Sequence, residues 1–196
     1  MPRKPRLTLQ GKVHYVTSNG AAGRPLFVDR HDAHHFLEEL DSRAFPARVR
    51  IQVYCLLPDS FHLLLSSRAA DISAFMAGLL NSYARYLNRK LGLRGAVTQG
   101  RFRSTPIQDG PDLLRASRRV HLLPVLTGVL EDKDASARAA FLRRYRWSSY
   151  RAYCATGNTD VRLDSRAILS LAADSITRAS EAYATYVEAA LSAPDE

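Results

Sequence analysis

The feature that most constrains this chain is a pair of apolar runs joined by a tight turn. Arg48 to Leu57 and Phe61 to Ser66 read as strands, and Pro58-Asp59-Ser60 is turn chemistry between them. Asp71 then caps a long helix in which Ile72, Phe75, Met76, Leu79, Leu80, Tyr83 and Leu87 recur at helical spacing and face a core. Gly92 and Gly95 end it. Ahead of the hairpin, Lys12 to Ser18 alternates as a strand does, and a Gly- and Asn-rich loop runs from Asn19 to Pro25. Asp29 caps a helix from about Arg30 to Leu40, with Phe36, Leu37 and Leu40 as its apolar stripe.

Behind the long helix a short strand is expected around Phe102 to Gln108. Gly110-Pro111 then opens a helix to about Leu122, which Pro124 and Gly128 end. Residues 131–144 read as a charged helix or loop, and helices near Ser165–Leu171 and Thr177–Leu191 finish the chain. The first six elements, strand-helix-strand-strand-helix-strand, match a ferredoxin-like α+β unit, an antiparallel sheet with helices packed on one face. The expected division is a domain over residues 1–153 and a short helical C-terminal extension over 154–196. Such a fold hosts many functions and decides none.

The 196 residues are 46% hydrophobic, enough for an ordinary core. The longest uncharged apolar stretch near the middle, Ile51 to Pro58, is too short to span a bilayer, and no apolar run follows the basic N-terminus as a secretory signal requires. Cys55 and Cys154 are far apart and have no CxxC or Cys/His partner spacing, so neither a disulfide framework nor a zinc site is expected. His31, His34 and His35 read as histidines on or near the solvent face of the first helix. These features point to the cytoplasm and to no membrane partner.

The net charge is +9, and its placement is informative. Residues 1–12 contribute +4 through Arg3, Lys4, Arg6 and Lys12. Residues 83–119 contribute +7, with Arg85, Arg89, Lys90, Arg94, Arg101, Arg103, Arg115, Arg118 and Arg119 set against two acids. The remainder sums to −2. A solvated basic face would account for this, but so would a phosphate-binding surface, because clustered cations release counterions from nucleic acid. Arg115, Arg118 and Arg119 fall at i, i+3 and i+4 and are expected on one helix face.

Seven strings carry a resemblance, in order, across residues 1–153: MPRKPR from Met1, GRPLF from Gly23, YCLLP from Tyr54 with HLLL from His62, SYARYLNR from Ser82, QGRFRS from Gln99, VHLLPV from Val120, and YRWSSYRAY from Tyr145. Together they resemble the REP-associated tyrosine transposases, a branch of the single-tyrosine HUH transposases. The resemblance implies a tyrosine that attacks a DNA phosphodiester, and a divalent metal, magnesium or manganese, held by two histidines flanking one bulky residue on a strand. It also implies a polar ligand one helical turn after the tyrosine.

This sequence departs from that set at three of four positions. The histidine pair maps to Ser60 and His62, the tyrosine to Arg119, and the third ligand to Leu123. Arginine stays protonated and cannot be a nucleophile. No catalytic residue and no metal or other cofactor is therefore expected, and enzyme activity is doubtful. The resemblance implies that hairpin or single-stranded DNA is the partner, bound without cleavage by a domesticated or inactive transposase. The residues expected to bind it are Arg3, Lys4, Arg6, Arg85, Arg89, Arg101, Arg103, Arg115, Arg118 and Arg119, and the protein is expected at the nucleoid. Three alternatives stay open: an active metal-dependent nuclease-transposase in DNA transposition with a rearranged site, an RNA-hairpin-binding regulator, and an interaction module that has lost nucleic acid. Monomer and homodimer both stay open.

Overall fold

A computed structural model describes residues 11–67, 71–108, 110–127, 130, 132–155, 158–159, 161–173 and 175–192. Arg3, Lys4 and Arg6 lie outside the described residues. The chain runs β1 (Val13–Asn19), α1 (Arg30–Ala44), β2 (Val49–Leu57), β3 (Ser60–Ser67), α2 (Ile72–Leu91), β4 (Arg103–Ile107), α3 (Gly110–Leu126), α4 (Ala135–Arg144), α5 (Tyr150–Tyr153), α6 (Arg166–Ala172) and α7 (Ile176–Ala189). Among the described residues four antiparallel strands form one sheet in the order β2-β3-β1-β4, the ferredoxin-like order.

Local chemistry sets the helix ends. The Asp29 carboxylate accepts from the backbone of His31 and Asp32 while Asp32 answers the cap, a reciprocal capping box. Asp71 caps α2, and Gly92 closes it at φ 64°, the left-handed conformation that glycine adopts without penalty. Between these helices the Asp32 carboxylate is fully buried. It accepts from Lys90 at 2.6 Å and from the Tyr86 hydroxyl at 2.9 Å, so α1 and α2 are tied by a paired charge.

Side-chain alternation splits the sheet into two faces. On the first, Val16, Ile51, Tyr54, Leu56, Phe61, Leu63 and Leu65 pack with Phe36, Leu37 and Leu40 of α1 and Phe75, Met76, Leu79 and Tyr83 of α2. A register shift between Ile51 and Val53 switches parity along β2, so Val53, Cys55 and Leu57 turn to the second face. The expectation of helices on one face covers only α1 and α2. On the second face α3 crosses the sheet, and Tyr150, Tyr153, Ile168, Tyr183, Val187 and Leu191 close over Val53, Cys55, Leu57 and Leu64. Ile168 of α6 and Tyr183 and Val187 of α7 thus share a core with the sheet.

The outer edge of β2 is sealed by the segment after α4. Leu56 N–H donates to the Trp147 carbonyl at 2.8 Å, Ser149 N–H to the Tyr54 carbonyl at 2.9 Å, and Asp164 N–H to the Ile51 carbonyl at 2.8 Å. The Tyr153 hydroxyl donates to the Gln52 carbonyl at 2.9 Å. Among the described residues no helix is long and apolar enough to cross a membrane.

Candidate nucleic-acid interface

The second face is polar where β1, β3 and β4 run beyond the C-terminal cover. Residues directly opposite in an antiparallel ladder share a face. The register sets Thr17 between His62 and Arg103, and Tyr15 between Leu64 and Thr105. Tyr15, Thr17, Ser60, His62 and Arg103 therefore belong to one platform, with α3 beside it. Between β4 and α3 opens a cleft of about 320 Å³, lined by Tyr15, Pro106, Ile107, Gln108, Asp112, Arg115, Ala116, Arg119 and Val120.

A directed chain of hydrogen bonds fixes the floor. Ser60 donates its one hydroxyl proton to the Asp59 carboxylate at 3.0 Å. Ser60 Oγ can then only accept from His62 Nε2, 3.3 Å away. This tautomer leaves His62 Nδ1 as an acceptor, and it receives the Tyr15 hydroxyl at 2.6 Å and faces Thr17 Oγ1 at 3.3 Å. The Tyr15 and His62 rings lie 19° from parallel with centroids 5.9 Å apart. Burial pushes the His62 pKa down to about 4; the Arg119 charge pushes the same way, and Asp59 opposes both. Burial raises the Tyr15 hydroxyl above its ordinary range, with Arg119 opposing. Arg119 lines the cleft together with Tyr15 and is solvent-exposed. It takes no hydrogen bond or ion pair among the described residues.

These groups do not fit a divalent metal. Both His62 nitrogens are engaged by hydroxyls, Ser60 is a poor ligand for a transition metal, and Arg119 adds a cation to the site. Leu123, one turn after Arg119 on α3, packs among apolar neighbours of the second core. Among the described residues no group of three His, Cys, Asp or Glu side chains could hold a metal ion. Manganese titrated calorimetrically should show no site that His62→Ala removes; a stoichiometric site lost on that change would overturn this reading of the residues.

The fold divides the arginines that the sequence places in one segment. Arg115 and Arg119 line the cleft, Arg103 lies on the same sheet face, and the Arg115 guanidinium pairs with Asp112. Arg118 leaves them and lies over the Tyr186 ring of α7, 4.6 Å from its centroid. Spacing on α3 gave all three arginines one face, but i+3 and i+4 straddle the helix stripe, and Tyr186 draws Arg118 to the other side. Arg85 and Arg89 are exposed on α2, across the sheet from the cleft, and Arg101 is exposed just before β4. Tyr15, Thr17, Asp59 and Gln108 were not legible as site residues, because strand register alone brings them there.

The sheet with α3 crossing its second face, chiefly against β2, has a counterpart among solved structures. A REP-associated tyrosine transposase bound to a REP hairpin superposes with a TM-score of 0.61 over 84% of this chain and 93% of that chain, at 16% identity. The chain has a REP-associated tyrosine transposase-like fold. A protein from Deinococcus radiodurans assigned as a transposase aligns at a TM-score of 0.43 and 16% identity, over 57% of this chain and 91% of that one. No family model matches the sequence. No curated protein matches it either.

Proposed function

We propose that this protein binds hairpin or single-stranded DNA through the cleft and platform of the second sheet face, without metal-dependent cleavage. One observation carries the reading. Arg119 lines the cleft with Tyr15 at the position where the resemblance puts the nucleophile, exposed and with no protein partner among the described residues. A guanidinium there grips a phosphate oxygen with paired N–H donors and cannot attack it. The superposed transposase is bound to a REP hairpin, which supports the same kind of ligand here.

Salt dependence tests the binding. If about four to six phosphates are neutralised, log affinity for a DNA hairpin should fall against log salt with a slope of roughly −3 to −5. Arg115→Ala with Arg119→Ala should flatten that slope by about two units. Arg118→Ala, at a residue committed to Tyr186, should leave it nearly unchanged. A slope near zero in the unmodified protein would reduce the charge excess to a solvated face.

A further inference from the structure

The lining of the cleft is more apolar than a phosphate site needs. Ile107, Ala116, Val120 and Tyr15 line a space that Arg119 and Gln108 also line. We propose that this cleft receives one unpaired nucleotide, its base against Tyr15 and the apolar wall and its phosphate on Arg119. The inference rests on the DNA-binding reading above and deepens it.

Three observations converge on that ligand class. The volume, about 320 Å³, lies at the small end of pockets that enclose a whole organic group. It is too small for stacked base pairs, so only a nucleotide out of its helix can enter. The lining is amphipathic in the way a nucleotide is, with a flat apolar surface for the base and a cation at the mouth for the phosphate. A bare anion would leave Ile107, Ala116 and Val120 unmatched, and a purely apolar ligand would leave Arg119 uncompensated.

The platform is also rigid. The Tyr15 hydroxyl is fixed on His62 at 2.6 Å, and His62 is fixed on Ser60. The ring is therefore held in one orientation before any ligand arrives, which lowers the ordering cost of stacking. Gln108, whose backbone carbonyl accepts from Lys12 at 3.1 Å, offers an amide donor and acceptor for a base edge. In this arrangement the residues left over from a cutting site act as a clamp that reads a single extruded base.

The test uses the full chain and a DNA stem–loop with mixed-sequence unpaired flanks. An abasic residue, and separately 2-aminopurine, is scanned through every unpaired position, with affinity read by anisotropy. One abasic position should weaken binding about tenfold, and 2-aminopurine there should change its fluorescence on binding, while other positions stay near the unmodified value. Tyr15→Phe keeps the ring and should keep this sensitivity. Tyr15→Leu, and Ala116→Trp, which fills the cleft, should remove it. Arg119→Gln should weaken intact and abasic probes alike, because the phosphate remains in both. Thermal melting checks each variant, and if Ala116→Trp fails to fold, the Phe and Leu pair decides alone. Firm hairpin binding with no abasic-sensitive position, or with sensitivity retained in Tyr15→Leu, overturns the nucleotide pocket and leaves the DNA-binding reading standing. If no DNA probe binds, both fall; binding of an acidic peptide in its place would show the cleft to serve a protein partner.

Discussion

Incubated with hairpin DNA and manganese, the protein is expected to leave no denaturation-resistant adduct and no cleaved strand. Covalent capture needs a nucleophile, a base and charge stabilisation in register. Arg119 supplies charge only. Among the described residues Tyr15 is the tyrosine that lines the cleft, and its hydroxyl already points at a base. The energetics are against it. The Tyr15 hydroxyl is raised from an ordinary value of 10.0, while His62 is held near 4. Both shifts oppose proton transfer from Tyr15 to His62, because burial disfavours the phenolate and the imidazolium alike.

Restoring the set should be more revealing than removing it. Ser60→His, Arg119→Tyr and Leu123→Asn together should recover a manganese-dependent adduct, and adding Tyr15→Phe should raise the yield by freeing His62 Nδ1. A denaturing gel reads the outcome. An adduct from the unmodified protein would sink the reading of lost chemistry, and mass spectrometry would name the residue that attacked.

The second large effect is expected at His121, which does not line the cleft. The ring is fully buried between α3, α7 and the turn before α5. Its Nδ1 lies 2.8 Å from the Tyr183 hydroxyl and its Nε2 2.8 Å from Ser149 Oγ, while Tyr183 donates to Ser117 at 2.9 Å. Ser149 Oγ in turn meets the backbone of Tyr54 on β2. His121→Ala removes the centre of this network and leaves a cavity, and should cost about 3–5 kcal/mol by urea unfolding. Because the network joins α3, α7 and β2, unfolding should remain a single transition in which the C-terminal helices do not melt first. A separate early transition would show the extension to be an independent unit.

Acid should act through the same residue. Burial holds the folded His121 pKa down to about 3, against an ordinary value of 6.5. Between those values the unfolded chain binds a proton that the folded protein excludes. Stability is therefore complete above about pH 6.5 and falls as pH drops toward 3, by up to about 1.4 kcal/mol per pH unit. In His121→Phe this part of the slope should vanish.

Local signals made most of the framework readable. Asp71 and Gly92 bracket α2 within a residue of where capping chemistry places them, and the stripe from Ile72 to Leu87 is the buried one. Phe36, Leu37 and Leu40 of α1 behave likewise. Pro124 misled, since α3 runs on to Leu126; a proline one turn from a helix end forfeits little backbone bonding and is here buried in the second core. The site was legible at Ser60, His62, Arg119 and Leu123 only through resemblance. Its working neighbours were not, because Tyr15 and Thr17 meet His62 through a pairing of residues 45 or more apart, and Arg118 turns away to a tyrosine on the last helix. Strand register and long-range docking are properties of the assembled sheet and leave little mark on any short window of residues.

The sealed edge of β2 has a consequence for how the chain is born. The groups that close it come late: 101 residues separate Gln52 from Tyr153, and the Asp164 N–H follows later still. At a ribosomal pace of about 5–20 residues per second, the outer edge of β2 waits roughly 5–20 s for its cover. During that interval a nascent chain presents an apolar strand with unpaired backbone groups, the template on which neighbouring chains pair. Chains truncated before Ser148 should accumulate as aggregates, and yield in cells should follow translation speed and chaperone supply between Leu57 and Asp164.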